Sequence, residues 1–171
     1  SRLQVQRTWD AMLNTPLDLD DVVWAELLWA TAKAVKSGLA ILLVAAALDI
    51  AREPTMLWIA AVLPLAGLAF ASLAMVVCAL ARSYEFFMYY FTLGVTPMVF
   101  LSGVFFPASQ LPDALVAAMR LLPLSPAIEL IRPLMLGRVP PHAWLHVGQL
   151  LVTALAAAWL AAVLMRRRLL R

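Results

Sequence analysis

The sequence predicts an all-α, polytopic membrane protein with four transmembrane helices and a re-entrant helical hairpin on the outer side. Of its 171 residues 64% are hydrophobic and 13% charged, with a mean hydropathy of +0.90, whereas soluble domains run at about half apolar and a quarter charged. Apolar stretches near 28–50, 55–80, 86–106 and 143–165 each approach the about 20 residues that cross a hydrocarbon core of about 30 Å. Between the last two lies FLSGVFFPASQLPD, Phe100–Asp113, followed by LPDALVAAMRLLPLSPAIELIRPLMLG. That segment is too apolar for a solvated loop and too broken for another span.

The first 25 residues are polar and broken by Pro16. The chain opens on Ser1 with neither an initiator methionine nor a signal segment, so a further N-terminal part is expected to precede it. The first span carries Glu26, Trp29, Lys33 and Lys36, which step by three and four and share one helical face. Both lysines are placed in the cytoplasmic half. They either snorkel to the membrane edge or form a polar stripe facing an internal path, because a charge at mid-bilayer costs about 2.5–3.5 kcal/mol on insertion scales. In either case Trp29 can stack against Lys33.

Only DIAREP, with Asp49, Arg52, Glu53 and Pro54, separates the first two spans, which predicts an antiparallel hairpin. ARSYEFF separates the second from the third, and Arg82 marks that turn. Basic residues near span ends stay on the cytoplasmic side. Arg2, Arg7, Arg82 and the terminal RRRLLR fall together against Arg52 alone, so both ends are expected to be cytoplasmic, although Arg120, Arg132 and Arg138 dilute the asymmetry from the long outer segment.

Pro107 and Pro112 end the third span and can open a short helix, and LPLSP (Leu122–Pro126) interrupts it. Ser125 and Pro126 form a cap and first-turn pair for a second short helix, with Glu129 near its positive end. About ten residues each, these helices reach about 15 Å, half a crossing. Too apolar for water, they are expected to dip into the outer leaflet as a re-entrant pair, or else to lie flat in the interface. Glu129 and Arg132, three apart, are expected to pair.

The net charge of +3 is concentrated in Arg166, Arg167, Arg168 and Arg171, a basic tail and not a nucleic-acid surface. Cys78 has no second thiol, which excludes a disulfide or a thiolate metal cluster within the chain. Ser102-Gly103 with His142 and His146 invites comparison with an intramembrane serine hydrolase, but Phe100 stands where that motif needs glycine. The two histidines, one turn apart, lack a nearby carboxylate or thiolate in sequence to complete a metal site. A secondary transporter would show paired repeats and acidic residues at mid-membrane, and neither is found. No catalytic residue and no metal ligand is assigned.

Four blocks carry a family likeness: TWDAMLNTPLDLDDVVWAELLWA, SYEFFMYYFTLGVTPMVFLSGVFFPASQLP, LPLSPAIELIRPLMLG and RRRLLR. In this order they closely resemble the permease subunits of type 2 ABC exporters, and within those the nodulation-factor export permeases. Pro126 stands where the family form is expected to carry histidine. The resemblance implies the last four of six spans in a bacterial inner-membrane exporter of an amphipathic or lipid-linked cargo, such as a lipo-chitooligosaccharide. It implies a cytoplasmic coupling segment at 1–25, three spans over 26–106, a periplasmic hairpin at 107–142, a last span at 143–165 and a basic tail at 166–171.

Leu13, Asp18, Asp20 and Asp21 would meet an ABC ATPase, although carboxylates also commonly cap helices or face water. Glu26, Trp29, Lys33, Tyr84, Phe87 and Tyr90 are candidates for the substrate path. The aromatics among them could equally be an interfacial belt. Gly103, Glu129 and Arg132 are candidates for an outer gate. No phosphate loop of the GxxxxGK[ST] type occurs in these 171 residues, so ATP and magnesium are assigned to the partner subunit and no cofactor to this chain. A second permease copy would complete the path.

Overall fold

The computed structural model describes residues 19–48, 54–81, 84–101 and 123–169. Every regular element among them is helical. Helix α1, Leu19–Ala47, has 29 residues. A 3₁₀ turn at Pro54–Met56 leads into α2, Leu57–Leu80, of 24 residues, and the last helix, named α6 below, is Ala143–Leu169, of 27 residues. These three are long and apolar enough to cross a membrane.

Helices α1 and α2 form the expected antiparallel hairpin. A Cβ placed on Gly38 would touch the Leu63 side chain, and one on Gly67 would lie 3.2 Å from Ala34 Cβ. Residue numbers in the two pairs rise on one helix as they fall on the other, and the midpoint lands in the DIAREP stretch. Close approach through small residues is how helices associate in lipid, where apolar burial alone gives no drive. Thr31 turns its hydroxyl back to the Leu27 carbonyl at 2.8 Å and its methyl toward Gly67. Buried Ser72 likewise satisfies itself on the Leu68 carbonyl at 2.8 Å, the usual solution for a hydroxyl inside a helix.

The central helix is α2, with α1 and α6 against it. One core cluster joins Val22, Val23 and Leu27 of α1 to Ala79 of α2 and to Ala158 and Met165 of α6. Thus the start of α1, the end of α2 and the end of α6 share one end of the bundle. Thr55, Trp58, Pro140 and Ala143 line one cleft at the opposite end. Exposed tryptophans mark both ends, Trp24 and Trp159 at the first, Trp58 and Trp144 at the second, as in the aromatic belts of membrane proteins.

This arrangement bears on the fourth span. The chain leaves α2 at the Asp20 end and enters α6 at the other, so residues 82–142 make one net traverse, giving an even number of crossings in all. Within that segment residues 84–101 form one helical run: α3 (Tyr84–Tyr89), a π-helical stretch (Tyr90–Val95) and α4 (Thr96–Leu101). The predicted end of this span, 102–106, and the first short helix of the hairpin lie outside the described residues. The π stretch was not expected. Pro97 has no N–H to offer Leu93, while Thr96 N–H reaches back five residues to the Phe91 carbonyl, the wider turn that relieves such a site.

The second short helix is present as α5, Leu124–Met135, of 12 residues, about 18 Å long. It begins one residue before Ser125, which is buried inside the first turn and does not serve as its cap. Gly137, at φ 73, ends it, and the Arg138 N–H closes on the Pro133 carbonyl at 2.9 Å, the left-handed cap that glycine favours. Ala127 and Leu130 join Ala66 and Ala69 of α2 and Leu150 and Ala154 of α6 in a second core cluster. Near its other end the Leu134 carbonyl accepts from Thr55 Oγ1 at 2.8 Å. Helix α5 therefore runs from mid-depth of the bundle to its outer end, the half-crossing its length requires. Thr55→Val should loosen that outer end by about 0.5–1.5 kcal/mol, read as faster amide exchange at residues 134–138 with exchange in α2 unchanged.

Candidate functional site

At the inner end, Asp20 in the first turn of α1 meets Arg166 near the end of α6. Arg166 Nε donates to Asp20 Oδ1 at 3.0 Å, and Nη2 donates to Oδ2. A two-pronged guanidinium–carboxylate contact fixes orientation as well as distance. Asp20, expected as a contact for an outside partner, is thus engaged within the chain, while Asp21 is exposed. Leu13 and Asp18 lie outside the described residues. Trp24 and Trp159 flank the pair in a cleft of about 420 Å³.

Along α1, Lys33 Nζ sits 5.1 Å from the centre of the Trp29 ring, the expected cation–π contact. Lys33 and Lys36 are exposed and Glu26 is half-buried. Thr31, Ala34 and Gly38 face α2; at about 100° per residue, Glu26, Trp29, Lys33 and Lys36 fall on the opposite side, away from α2. The stripe was expected near the cytoplasmic edge. The register of the hairpin sets Lys33 level with Leu68, midway along α2, because α1 starts at Leu19, well before the apolar run that the sequence shows.

At the outer end, Glu129 Oε2 of α5 lies 3.1 Å from His146 Nε2 of α6. Ser125, His142, His146 and Gln149 line a polar cavity of about 440 Å³ with Glu129. His142 precedes α6 with φ 56, and its carbonyl accepts the Leu145 N–H at 2.8 Å. Arg132 is exposed on the same short helix as Glu129. Among the described residues no group of three or more metal-ligating side chains forms. Gly103 and Ser102 lie outside the described residues. Tyr84 and Phe87 belong to α3, and only their backbone is described; Tyr90, in the π stretch, is half-buried. Sequence reasoning missed His146 as the partner of Glu129 and Arg166 as the partner of Asp20. Each pair joins two helices whose facing register no local spacing encodes.

A bundle of long apolar helices with aromatic belts and a half-length helix seated among them defines an α-helical polytopic membrane protein. The ABC-2 type transporter family model matches residues 1–136, and the chain belongs to that family. It is 48% identical over 170 residues to Nodulation protein J of Rhizobium meliloti (strain 1021), and 49% identical over 170 residues to Nodulation protein J of Rhizobium leguminosarum bv. trifolii. Each alignment covers 99% of this chain and 65% of the relative. Nodulation protein J of Bradyrhizobium diazoefficiens is 48% identical over 171 residues, covering 100% of this chain and 65% of the relative. The chain thus spans about two thirds of the length of these curated relatives. No solved structure matches it.

Proposed function

We propose that this chain is part of the permease subunit of an ATP-binding cassette exporter of the bacterial inner membrane. It moves an amphipathic or lipid-linked substrate outward, with a lipo-chitooligosaccharide as the first candidate on the strength of the family resemblance. The supporting observation is the stripe on α1. A lysine level with the middle of a span, turned away from its own bundle, needs water or a second polypeptide beside it, and a path shared with another permease copy supplies both. Arg166 and Arg167 are exposed at the Asp20 end, which favours that end as cytoplasmic. There the segment holding Leu13, Asp18 and Asp21 faces an ABC ATPase, which binds and hydrolyses ATP with magnesium. Tyr84, Phe87 and Tyr90 border the path. Gly103, Glu129 and Arg132 belong to the outer gate with α5.

The test is reconstitution of the full-length permease with its ATPase. Labelled lipo-oligosaccharide should move across vesicle membranes in an ATP-dependent manner, and the two proteins should co-purify. Absence of an associating ATPase, or flux indifferent to ATP, sinks the proposal.

A further inference from the structure

Both inter-helix ion pairs described above use α6. Arg166 holds Asp20, the first turn of α1, beside the proposed coupling segment. His146 holds Glu129 of the half-length helix α5. The two residues stand about 30 Å apart along one helix at 1.5 Å per residue. Apolar contacts reinforce each end: Met165 with Val22 and Val23 at the first, Leu150 and Ala154 with Ala127 and Leu130 at the second. We infer that α6 is a strut, with Arg166 and His146 as positioning residues that tie the start of α1 to the outer half-helix. Its role in transport rests on the proposed export function; its geometry does not.

Each pair sits where water reaches. The side chains of Arg166 and Asp20 are 57% and 39% exposed, and those of His146 and Glu129 are 20% and 46% exposed. Ion pairs in such places hold weakly one by one and exchange readily, which suits contacts made and released in a cycle. Between them runs a helix close-packed through Leu150, Ala154, Ala157, Ala158, Ala161 and Met165, all buried. A displacement at one end of such a rod is passed on as a rigid-body shift and not absorbed midway. On its other side α5 is held to α2 by the Thr55–Leu134 hydrogen bond, so a shift of α6 changes how α5 sits against α2.

The experiment uses the full-length protein with Cys78→Ala, in nanodiscs, with spin labels at Trp58→Cys on α2 and Leu136→Cys beside α5, both exposed in the parent chain. Arg166→Glu, at the far end, should move or broaden the label-to-label distance by about 1–2 Å, the scale of helix shifts in switching proteins. Arg167→Glu, the same charge change one residue on, should leave it as in the parent. Asp20→Arg combined with Arg166→Glu should restore the parent distribution. An unchanged distribution in Arg166→Glu, an equal change in Arg167→Glu, or a swap variant that folds and stays disturbed overturns the strut. The same samples reconstituted with the ATPase report efflux. Missing ATP-driven efflux in the parent would end the export reading while the distances still decide the strut.

Discussion

Gly67→Leu is expected to part α1 from α2 and lower the thermal midpoint of the purified full-length protein more than any other single glycine substitution among the described helices. Gly67 is buried. An added Cβ would already stand 3.2 Å from Ala34 Cβ, 3.5 Å from Thr31 Cγ2 and 3.6 Å from the Thr31 carbonyl oxygen. None of these neighbours is the far end of a flexible side chain: one is a methyl fixed to backbone, one a β-branched methyl, one the backbone itself. Gly38 differs, since what its Cβ would meet is the terminus of Leu63, which can change rotamer. Leucine at 67 forces the helices apart, at a cost of about 1–3 kcal/mol for overpacking. Alanine at 67 tests the same contact gently. Its gain in helix propensity, up to about 1 kcal/mol, works against a few tenths of an ångström of displacement, so its midpoint should change little. Gly148, with nothing within 4 Å of the built Cβ, is the control, and Gly148→Ala should be neutral or stabilising. A Gly67→Leu protein with the parent midpoint would show that the two helices do not meet in this register.

The fold was legible where it depends on length and local chemistry. Spans follow from apolar runs, the first hairpin from DIAREP between two of them, and the half-length of α5 from the prolines and the glycine that bound it. The π stretch was hinted at by Pro97 but not foreseen, because a missing donor can be relieved by a kink, a water or a wider turn, and neighbours decide which. The start of α1 was placed too late: Asp20, Asp21 and Glu26 lower the local hydropathy without interrupting the helix, and that moved the apparent depth of Lys33. Contacts between elements were least legible. Glu129 was assigned Arg132 by the rule for positions three apart on a helix, whereas the partner that ties it to another helix is His146. Asp20 and Arg166 are separated by 146 positions, and only the even number of crossings brings them to one end.

Lys33→Leu should move stability and transport in opposite directions, which separates a lysine kept for function from one kept for anchoring. At mid-span a lysine costs about 2.5–3.5 kcal/mol on insertion scales, and leucine there is favourable by about 0.5 kcal/mol. Lys33 recovers part of that cost by lying over Trp29, a contact of about 0.5–2 kcal/mol. The larger number wins, so the leucine variant should insert at least as well as the parent and unfold no earlier. If Lys33 lines the path, ATP-driven efflux from the reconstituted complex should fall at least about tenfold, equivalent to about 1.4 kcal/mol on the barrier, and Lys33→Arg should keep a larger share of it. An anchoring lysine behaves otherwise: its loss would leave efflux intact and disturb only how α1 sits in the bilayer. Because Lys36 shares the exposed face, one turn nearer the outer end, Lys33→Leu with Lys36→Leu should deepen the transport defect without reversing the gain in stability. Parent-level efflux in that double variant would remove the stripe from the path and leave it a feature of membrane seating alone.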